Sequence, residues 1–435
     1  MDRLRKMEPG RILRGLLCAY TFAFLLAALL APDRGNMLTG LRRICTLPGQ
    51  LTRDYFLSEL GGVSASMLNA FLVGAVCCGL MFLPGAVVSG GTVLAYFLTV
   101  GFCTFGMSIL SILPLMAGVA VYCGIRREPL GKNLNFFMFS TAVAPLITQL
   151  LFWYPQAGEG PRLTLPGAAL ALAAGIAFGC AMPALCAHSP AFHKGFDLYN
   201  AGPAAGFLCA LFYALLYRAA GVEAPAASAT LGAGEPVFAH AFCLTAFGAT
   251  LLFGMALNGG LKGIGPLLMD RSVGADYARK YPAGLCLIHT GAYGLFILLW
   301  YDLTGATFTG PTLGAVFCML ACCLMGATAR SVLPVMLGYF LASRLGAFPL
   351  NAQAIVVGLC FASGLAPVSN EYGWWAGAVA GALHYGLVTS VPLLHGGFCL
   401  YNGGFTAGIV CFVLIPLLER FGARPHSRSR EPQGK

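Results

Sequence analysis

Charged residues are scarce in this chain of 435 residues, where they make up 10% of the sequence, against 58% for hydrophobic residues. A soluble globular domain carries about 25% charged residues. The mean hydropathy of +0.78 is also too high for a soluble fold, because a chain of this size cannot hide so much apolar surface in its own core. The composition therefore excludes a soluble enzyme or binding module and predicts a protein solvated by lipid.

The familiar catalytic and nucleotide-binding patterns are absent from the sequence. It has no P-loop, no dinucleotide fingerprint, no HExxH zinc motif and no ordered Ser-His-Asp set. A primary pump would need a separate ATP-binding subunit, because the chain contains no soluble domain that could bind ATP. We therefore predict that the protein is not an enzyme and carries no cofactor.

Cysteine and net charge give no evidence for metal or nucleic acid. Most of the 17 cysteines lie within apolar runs, where cysteine behaves as a small hydrophobe, and paired CxxC spacing is missing. The net charge of +10 comes from basic residues in short loops and at the termini rather than on one domain. This layout is typical of cationic loops beside a membrane and excludes nucleic acid as a partner.

Apolar runs fill both halves of the chain and predict an all-α polytopic membrane protein. They lie near 13–31, 65–84, 90–104, 107–123, 134–153, 166–186 and 197–217, and again near 238–257, 284–302, 311–325, 332–345, 352–368, 373–393 and 403–419. A perpendicular span needs about 20 residues, so the third run of each half is too short. Each half therefore has either seven spans or five spans plus a re-entrant hairpin formed by its third and fourth runs.

A fourteen-residue phrase occurs twice, at 193–206 and 395–408, and nine of its fourteen positions are identical. We call these segments the first and second phrase. Other matches follow in the same order: 111–118 aligns with 331–338 at an offset of 220, and Asp54-Tyr55 aligns with Asp276-Tyr277 at 222. These matches predict two copies of one membrane unit.

The alignment sets the predicted organisation of the chain. The repeats occupy 13–218 and 238–420, joined by a loop at 219–237 and flanked by cytoplasmic tails at 1–12 and 421–435. The first apolar run resembles a signal peptide, but its counterpart opens the second repeat, so we expect a structural helix that is not cleaved.

An odd number of crossings per repeat predicts that the second repeat is inverted in the membrane. With the N-terminus in the cytoplasm, 19 of the 26 basic residues fall on the cytoplasmic side. The other seven are Arg34, Arg42, Arg43, Arg53, Arg162, Arg218 and Arg344. This asymmetry places both termini in the cytoplasm.

The two phrases are the main candidates for a functional site, because they are polar, rich in glycine and flanked by membrane helices. Two further polar positions align within predicted spans, one in each half. The predicted substrate-binding residues are His193, Asp197, Tyr199, Asn200, His395, Tyr401, Asn402, His289 and Asn69. A His–Asp metal pair is not expected, because Cys399 replaces Asp197 in the second phrase. The alternative for the phrases is a tight inter-helix turn that serves folding.

These features predict a secondary transporter or facilitator of a small polar solute, with its site at the interface of the repeats. The predicted partners are the lipid bilayer, the solute and a coupling ion, which is either a proton or sodium. The sequence leaves open whether the chain forms a homo-oligomer. An integral membrane enzyme using His193 or His395, a solute channel and a structural or signalling protein are alternatives. Duplication of nearly the whole chain favours transport, since alternating access uses two related halves.

The paired H-x-G-F-x-L-Y-N-x-G-x-x-A-G phrases resemble those of a bacterial family of duplicated membrane proteins known only as a domain of unknown function, number 1576. The resemblance covers both halves and implies a multi-pass protein of the bacterial cytoplasmic membrane with no known activity. At the level of fold, seven-plus-seven repeats are similar to nucleobase and anion transporters, and five-plus-five repeats with hairpins to urea channels, by analogy only.

Overall fold

The computed structural model describes residues 7–51, 53–155, 160–223, 235–423 and 425, and helices are the only regular elements in these ranges. Ten of the helices in the described part are long and apolar enough to cross a membrane. Large apolar side chains such as Leu165, Val237 and Leu345 are more than four-fifths exposed on the outer surface. The predicted all-α polytopic fold and its contact with lipid are therefore confirmed.

The helices occur in the same order in both halves. The first half contains α1 (Pro9–Leu30), α2 (Met37–Thr46), α3 (Val63–Leu80), α4 (Gly90–Phe102), α5 (Ile109–Arg126), α6 (Leu134–Phe139), α7 (Ala144–Phe152), α8 (Leu165–His193) and α9 (Ala201–Tyr213). The second half contains α10 (Pro236–Asn258), α11 (Ile264–Leu268), α12 (Tyr277–Lys280), α13 (Ala283–Thr304), α14 (Gly310–Ala321), α15 (Ala329–Leu345), α16 (Gln353–Ala362), α17 (Ala366–Tyr372), α18 (Trp374–Val388) and α19 (Asn402–Arg420).

One span of each half is broken near its middle. A 3-10 turn at 140–143 separates α6 from α7, and another at 363–365 separates α16 from α17. Pro145 and Pro367 stand in the first turn after each break. Proline has no N–H to donate to the preceding turn, so the backbone carbonyls there are left for other partners.

The short helices α4 and α14 were predicted from their run lengths, and each begins a hairpin. Gly131, after α5, lies so close to Pro84, before α4, that a Cβ added at residue 131 would be only 2.5 Å from the Pro84 carbonyl oxygen. In the second half, Thr309 before α14 donates its hydroxyl to Gln353 at the start of α16, at 2.8 Å. The two ends of each α4–α5 or α14–α15 segment thus lie close together, so each segment forms a hairpin, as the alternative with a re-entrant hairpin predicts.

Glycine allows the closest helix crossings, and these are equivalent in the two halves. A Cβ on Gly118 of α5 would lie 2.4 Å from the Ile176 carbonyl oxygen of α8. A Cβ on Gly338 of α15 would lie 2.0 Å from the Ala378 carbonyl oxygen of α18. Helices in lipid associate by such close backbone approach, since burying apolar area there brings little gain.

The two halves meet through their hairpins, by contacts that match in pairs. Phe97 of α4 and Phe317 of α14, which align with each other, stack with ring centroids 6.0 Å apart. Asp54 accepts the N–H of Gly310 at the start of α14, at 2.8 Å. The aligned Asp276 accepts the N–H of Gly90 at the start of α4, at 3.0 Å. An aspartate of each half therefore caps the short helix of the other half.

Candidate functional site

The first phrase is a closed turn built around one histidine and one asparagine. His193, the last residue of α8, bonds through Nε2 to Oδ1 of Asn200 at 2.9 Å. Its Nδ1 accepts the backbone N–H of Asp197 at 3.3 Å, so the ring proton is on Nε2. The Asn200 amide then donates to the carbonyl of Cys186, about two helical turns before His193 on α8, at 3.1 Å. This network fixes the path between α8 and α9.

The second phrase repeats the network with nearly the same distances. His395 Nε2 bonds to Asn402 Oδ1 at 3.0 Å, and its Nδ1 accepts the N–H of Cys399 at 3.2 Å. The Asn402 amide donates to the Val388 carbonyl at 3.0 Å. The shared His and Asn of the phrases therefore hold the turn through both ring nitrogens and both amide atoms.

Each phrase also bonds to the broken span of the opposite half. The N–H of Leu198 donates to the carbonyl of Gly364 at 3.0 Å, and the N–H of Leu400 donates to the carbonyl of Ala142 at 2.8 Å. The two acceptors are carbonyls that the helix breaks leave without an intrahelical partner. The first turns of α9 and α19 then meet directly, since a Cβ on Gly202 would lie 2.5 Å from the carbonyl carbon of Gly404.

The two tyrosines of the phrases have different surroundings. The hydroxyl of Tyr199 donates to the Cys318 carbonyl at 2.8 Å and lies 3.1 Å from Oγ of Ser363. The hydroxyl of Tyr401 is buried without a hydrogen-bond partner among the described residues, and its ring packs on Phe102 at 5.2 Å. Only the first tyrosine is therefore tied to the opposite half by its hydroxyl.

Asp197 is the one acidic residue in either phrase, and it lies between the spans. Its Oδ1 accepts the N–H of Tyr199 at 2.9 Å, while its Oδ2 is buried without a partner among the described residues. The residue is 3% exposed. Burial raises the pKa of this carboxyl well above its ordinary value, because no nearby cation offsets the loss of water.

Asn69 and His289 lie away from the phrases, at the turns of the two hairpins. The Asn69 amide donates to the carbonyls of Cys103 and Met107, both at 2.8 Å. His289 Nε2 bonds to the Ala327 carbonyl at 3.0 Å. Both side chains therefore supply partners for the backbone that turns between the short helix and the next one.

A cavity of about 380 Å³ opens beside the second phrase and is lined by both halves. The first half contributes Gln50 and Leu51 from the segment after α2, Tyr213 at the end of α9, and Arg218 at the end of the helical turn that follows α9. The second half contributes one face of α16, the end of α18 and most of the segment up to Gly403. The lining is mainly apolar with a few polar groups, as in sites for small organic ligands.

Of the nine residues predicted from the sequence, Asn402 lines this cavity, and their substrate-binding role stays a prediction. Sequence reasoning missed Gln50, Arg218 and Thr389, which also line it. Gln50 and Arg218 lie far from the phrases along the chain, and neither belongs to a repeated motif. One weak signal was available for Arg218, which ends an apolar run just as Arg420 ends the equivalent run of the second half.

The first phrase differs from the second at the position that borders the cavity. Lys194 stands where the second phrase has Gly396, and its ammonium pairs with Glu419 of α19 at 2.5 Å. Next to this pair, Phe196 packs on Tyr372 with ring centroids 5.5 Å apart. The first phrase thus carries a half-exposed ion pair and an aromatic contact at this place, whereas the second phrase borders a cavity.

Ten helices that are long and apolar enough to cross a membrane, and a cavity between matching halves, define a polytopic α-helical membrane protein. The chain belongs to the family described as "Protein of unknown function (DUF1576)", whose profile matches residues 33–218 and 260–420. The predicted resemblance to that family is confirmed. Neither the curated proteins nor the solved structures include a detectable match.

Proposed function

We propose that this protein is a secondary transporter or facilitator that carries a small polar solute across the bacterial cytoplasmic membrane. The observation that carries the proposal is the cavity of about 380 Å³ beside the second phrase, because residues of both halves line it. Leu51 of the first half donates its N–H to the Gly397 carbonyl at 2.9 Å on the cavity wall. A solute in this cavity would therefore contact the interface whose rearrangement moves the solute across.

The proposal includes an inverted arrangement of the two halves, with both termini in the cytoplasm. The reciprocal caps support it. Asp54 lies in the segment after one crossing, and Gly310 follows six more crossings if the hairpins return to the side where they start. An even number separates the two contacting residues, as their contact requires. Five crossings separate equivalent points of the halves, so the second half has the opposite orientation.

The difference between the phrases supports a carrier with alternating access rather than a permanently open channel. The cavity borders the second phrase, while the first phrase carries the Lys194–Glu419 pair at the equivalent place. In an inverted arrangement, the two phrases start from opposite faces of the membrane. Closure of one side and opening of the other would exchange the environments of the phrases.

The histidine networks favour transport over the membrane-enzyme alternative. In both phrases, the two ring nitrogens of the histidine are engaged by a backbone N–H and by an asparagine within the same turn. A general base needs a free nitrogen within reach of its substrate. These histidines therefore act better as supports of the turn than as catalytic groups.

The solute site is tested by filling the cavity and measuring binding and uptake. Purified protein is first screened against a library of small polar metabolites by thermal shift, and hits are assayed as radiolabelled solutes in proteoliposomes. Ala354→Phe adds a ring to an exposed position of α16 on the cavity wall. We expect it to abolish the thermal shift and at least 90% of uptake.

Ala173→Phe on the exposed face of α8 is the matched control and should leave both measurements unchanged. Uptake by Ala354→Phe equal to that of the unmodified protein would refute the cavity as the transport site.

The inverted arrangement is tested by cysteine labelling of the loops 125–133 and 345–353, which align with each other. Single-cysteine variants in intact cells should react with a membrane-impermeant maleimide in one loop and not in the other. Labelling of both loops from the same side would rule out inversion.

A further inference from the structure

The carboxyl of Asp197 lies in surroundings that do not support a negative charge. It is 3% exposed, one of its oxygens has a single backbone N–H as a donor, and the other has no partner among the described residues. An ionised carboxylate that leaves water needs a cation or several donors to offset its desolvation. The geometry therefore fits a protonated, neutral carboxylic acid.

The titratable groups around Asp197 supply no compensating cation. They are His193 on α8, Tyr199 in the same phrase, Cys322 after α14 and Cys411 on α19. His193 is neutral because its Nδ1 accepts a backbone N–H. The neighbouring Lys194 is already paired with Glu419 and is nearly half exposed.

We infer that Asp197 binds a proton in the conformation described and releases it to water when the first phrase becomes hydrated, which makes it the proton-coupling group of the proposed transport cycle. The step breaks the carboxyl O–H bond and leaves a carboxylate, with the proton going to water, and it involves no oxidation or reduction. The inference rests on the proposed function for its place in a cycle. The proton site itself rests on the contacts of the side chain.

The first phrase and the solute cavity are linked through α16 and the break that ends it, and this link provides the coupling. The residue after Asp197 donates its N–H to the Gly364 carbonyl at the break that ends α16. The hydroxyl of Tyr199 lies 3.1 Å from Ser363 Oγ at the same break, and the Tyr199 ring packs on Phe361, which lines the cavity. Water admitted to Asp197 must separate the phrase from this break and so move the cavity wall.

A proton fits these contacts better than sodium does. Hard cations in proteins take several oxygen ligands. Around Asp197, the Gly364 carbonyl already accepts the Leu198 N–H, and the free Oδ2 is the one unengaged carboxylate oxygen. One oxygen suffices to hold a proton.

Infrared spectroscopy of the full-length protein in lipid nanodiscs tests the inference without knowledge of the solute. The unmodified protein should show the C=O stretching band of a protonated carboxylic acid at neutral pH, and alkaline titration should remove it. Asp197→Asn should weaken this band by the contribution of one carboxyl, because the buried Asp54 can contribute to it as well, and Asp302→Asn, which changes an exposed carboxylate, should leave it unchanged. Absence of the band at neutral pH, or a band of undiminished intensity in Asp197→Asn, would overturn the inference.

Sodium provides a separate arm of the experiment. If sodium chloride removes the band at constant pH and potassium chloride does not, the site binds sodium and the proton assignment is wrong. An unchanged band in both salts supports the proton. If Ala354→Phe blocks uptake while the band is missing, the transport proposal stands and only the role of Asp197 fails.

The dependence of stability on pH gives a second readout. The pKa of Asp197 is raised in the folded protein, so the folded state binds a proton that the unfolded state has lost above the ordinary aspartate range. Thermal stability of the unmodified protein should therefore fall as the pH rises from that range towards the raised pKa. Asp197→Asn should lack this decline. Parallel curves for the two proteins would contradict a buried neutral carboxyl.

Discussion

The two phrases share a framework and differ in what surrounds it. The His–Asn contact measures 2.9 Å in one and 3.0 Å in the other, and each asparagine reaches a carbonyl at the equivalent position of the preceding helix. Two positions between the shared histidine and asparagine differ: the first phrase has Lys194 and Asp197 where the second phrase has Gly396 and Cys399. Identical positions therefore hold the turn, and the positions that differ determine which phrase carries charge and which one borders the cavity.

The largest effect is expected where the phrases touch. Gly202→Val or Gly404→Val would place a branched side chain against the other phrase, since a Cβ added at residue 202 would lie 2.5 Å from the carbonyl carbon of Gly404. Since neither backbone can move far, we expect a loss of about 3 kcal/mol or more in stability, measured by thermal unfolding in detergent. The control is Gly248→Val on α10, where a Cβ meets nothing within 4 Å. Equal behaviour of the three variants would contradict the crossing.

The next effect separates the framework from the cavity. Asn200→Asp and Asn402→Asp each lose the amide N–H that reaches a helix carbonyl and set two oxygens against each other. We expect similar losses of about 1–3 kcal/mol from both, measured by thermal unfolding. The exposed Asn36→Asp should cost almost nothing.

Solute binding sharpens this comparison of the asparagines. Asn402 lines the cavity and Asn200 does not, so only Asn402→Asp should also change the affinity for a solute found in the thermal-shift screen. Equal changes in affinity would show that the cavity is not the binding site.

The reciprocal caps should give a smaller, symmetric effect. Asp54→Ala and Asp276→Ala each remove the acceptor of two backbone N–H groups, one of them in the opposite half. Loss of a helix cap costs about 0.5–2 kcal/mol. Thermal unfolding should show comparable destabilisation by the two variants. A large effect of one and none of the other would break the match between the halves.

The smallest effect on stability is expected when the first phrase is made more like the second. Lys194 has a left-handed backbone with φ of 52°, and Gly396 at the equivalent place has φ of 63°. Lys194→Gly relieves about 1 kcal/mol of backbone strain and loses an exposed ion pair of about 0.5 kcal/mol, so net stability should hardly change.

The readout for Lys194→Gly is access rather than stability. Loss of the pair with Glu419 uncovers the first phrase, so Cys186, buried beneath it, should react faster with a thiol reagent. Glu419→Gln should act in the same direction. Unchanged reactivity in both variants would mean that the pair does not cover the phrase.

The fold was largely predictable because lipid imposes a simple pattern. Runs of apolar residues predicted the helices, and the two short third runs predicted α4 and α14, since neither run is long enough to cross a bilayer. The break in each broken span was harder to predict, because Pro145 and Pro367 lie inside apolar runs that read as continuous.

The candidate site was less predictable than the fold. Asn69 and His289 stood out as polar residues in spans, but the sequence could not indicate that backbone carbonyls of the hairpin turns would be their partners. Gln50 and Arg218 could not be assigned to the cavity, because tertiary contacts bring them there from separate segments. Sequence patterns report periodicity along one helix, whereas a cavity depends on which helices become neighbours.

The reciprocal caps have a consequence for how the chain is made. Gly90 at the start of α4 receives its acceptor from Asp276, which is synthesised 186 residues later, and Asp54 finds Gly310 only after 256 residues. The first half is therefore inserted into the membrane before the N–H at the start of α4 has its acceptor, and the hairpin is completed only when the second half has been inserted. Biogenesis is thus a joint event, and the halves expressed as separate polypeptides should each be degraded alone and accumulate only together.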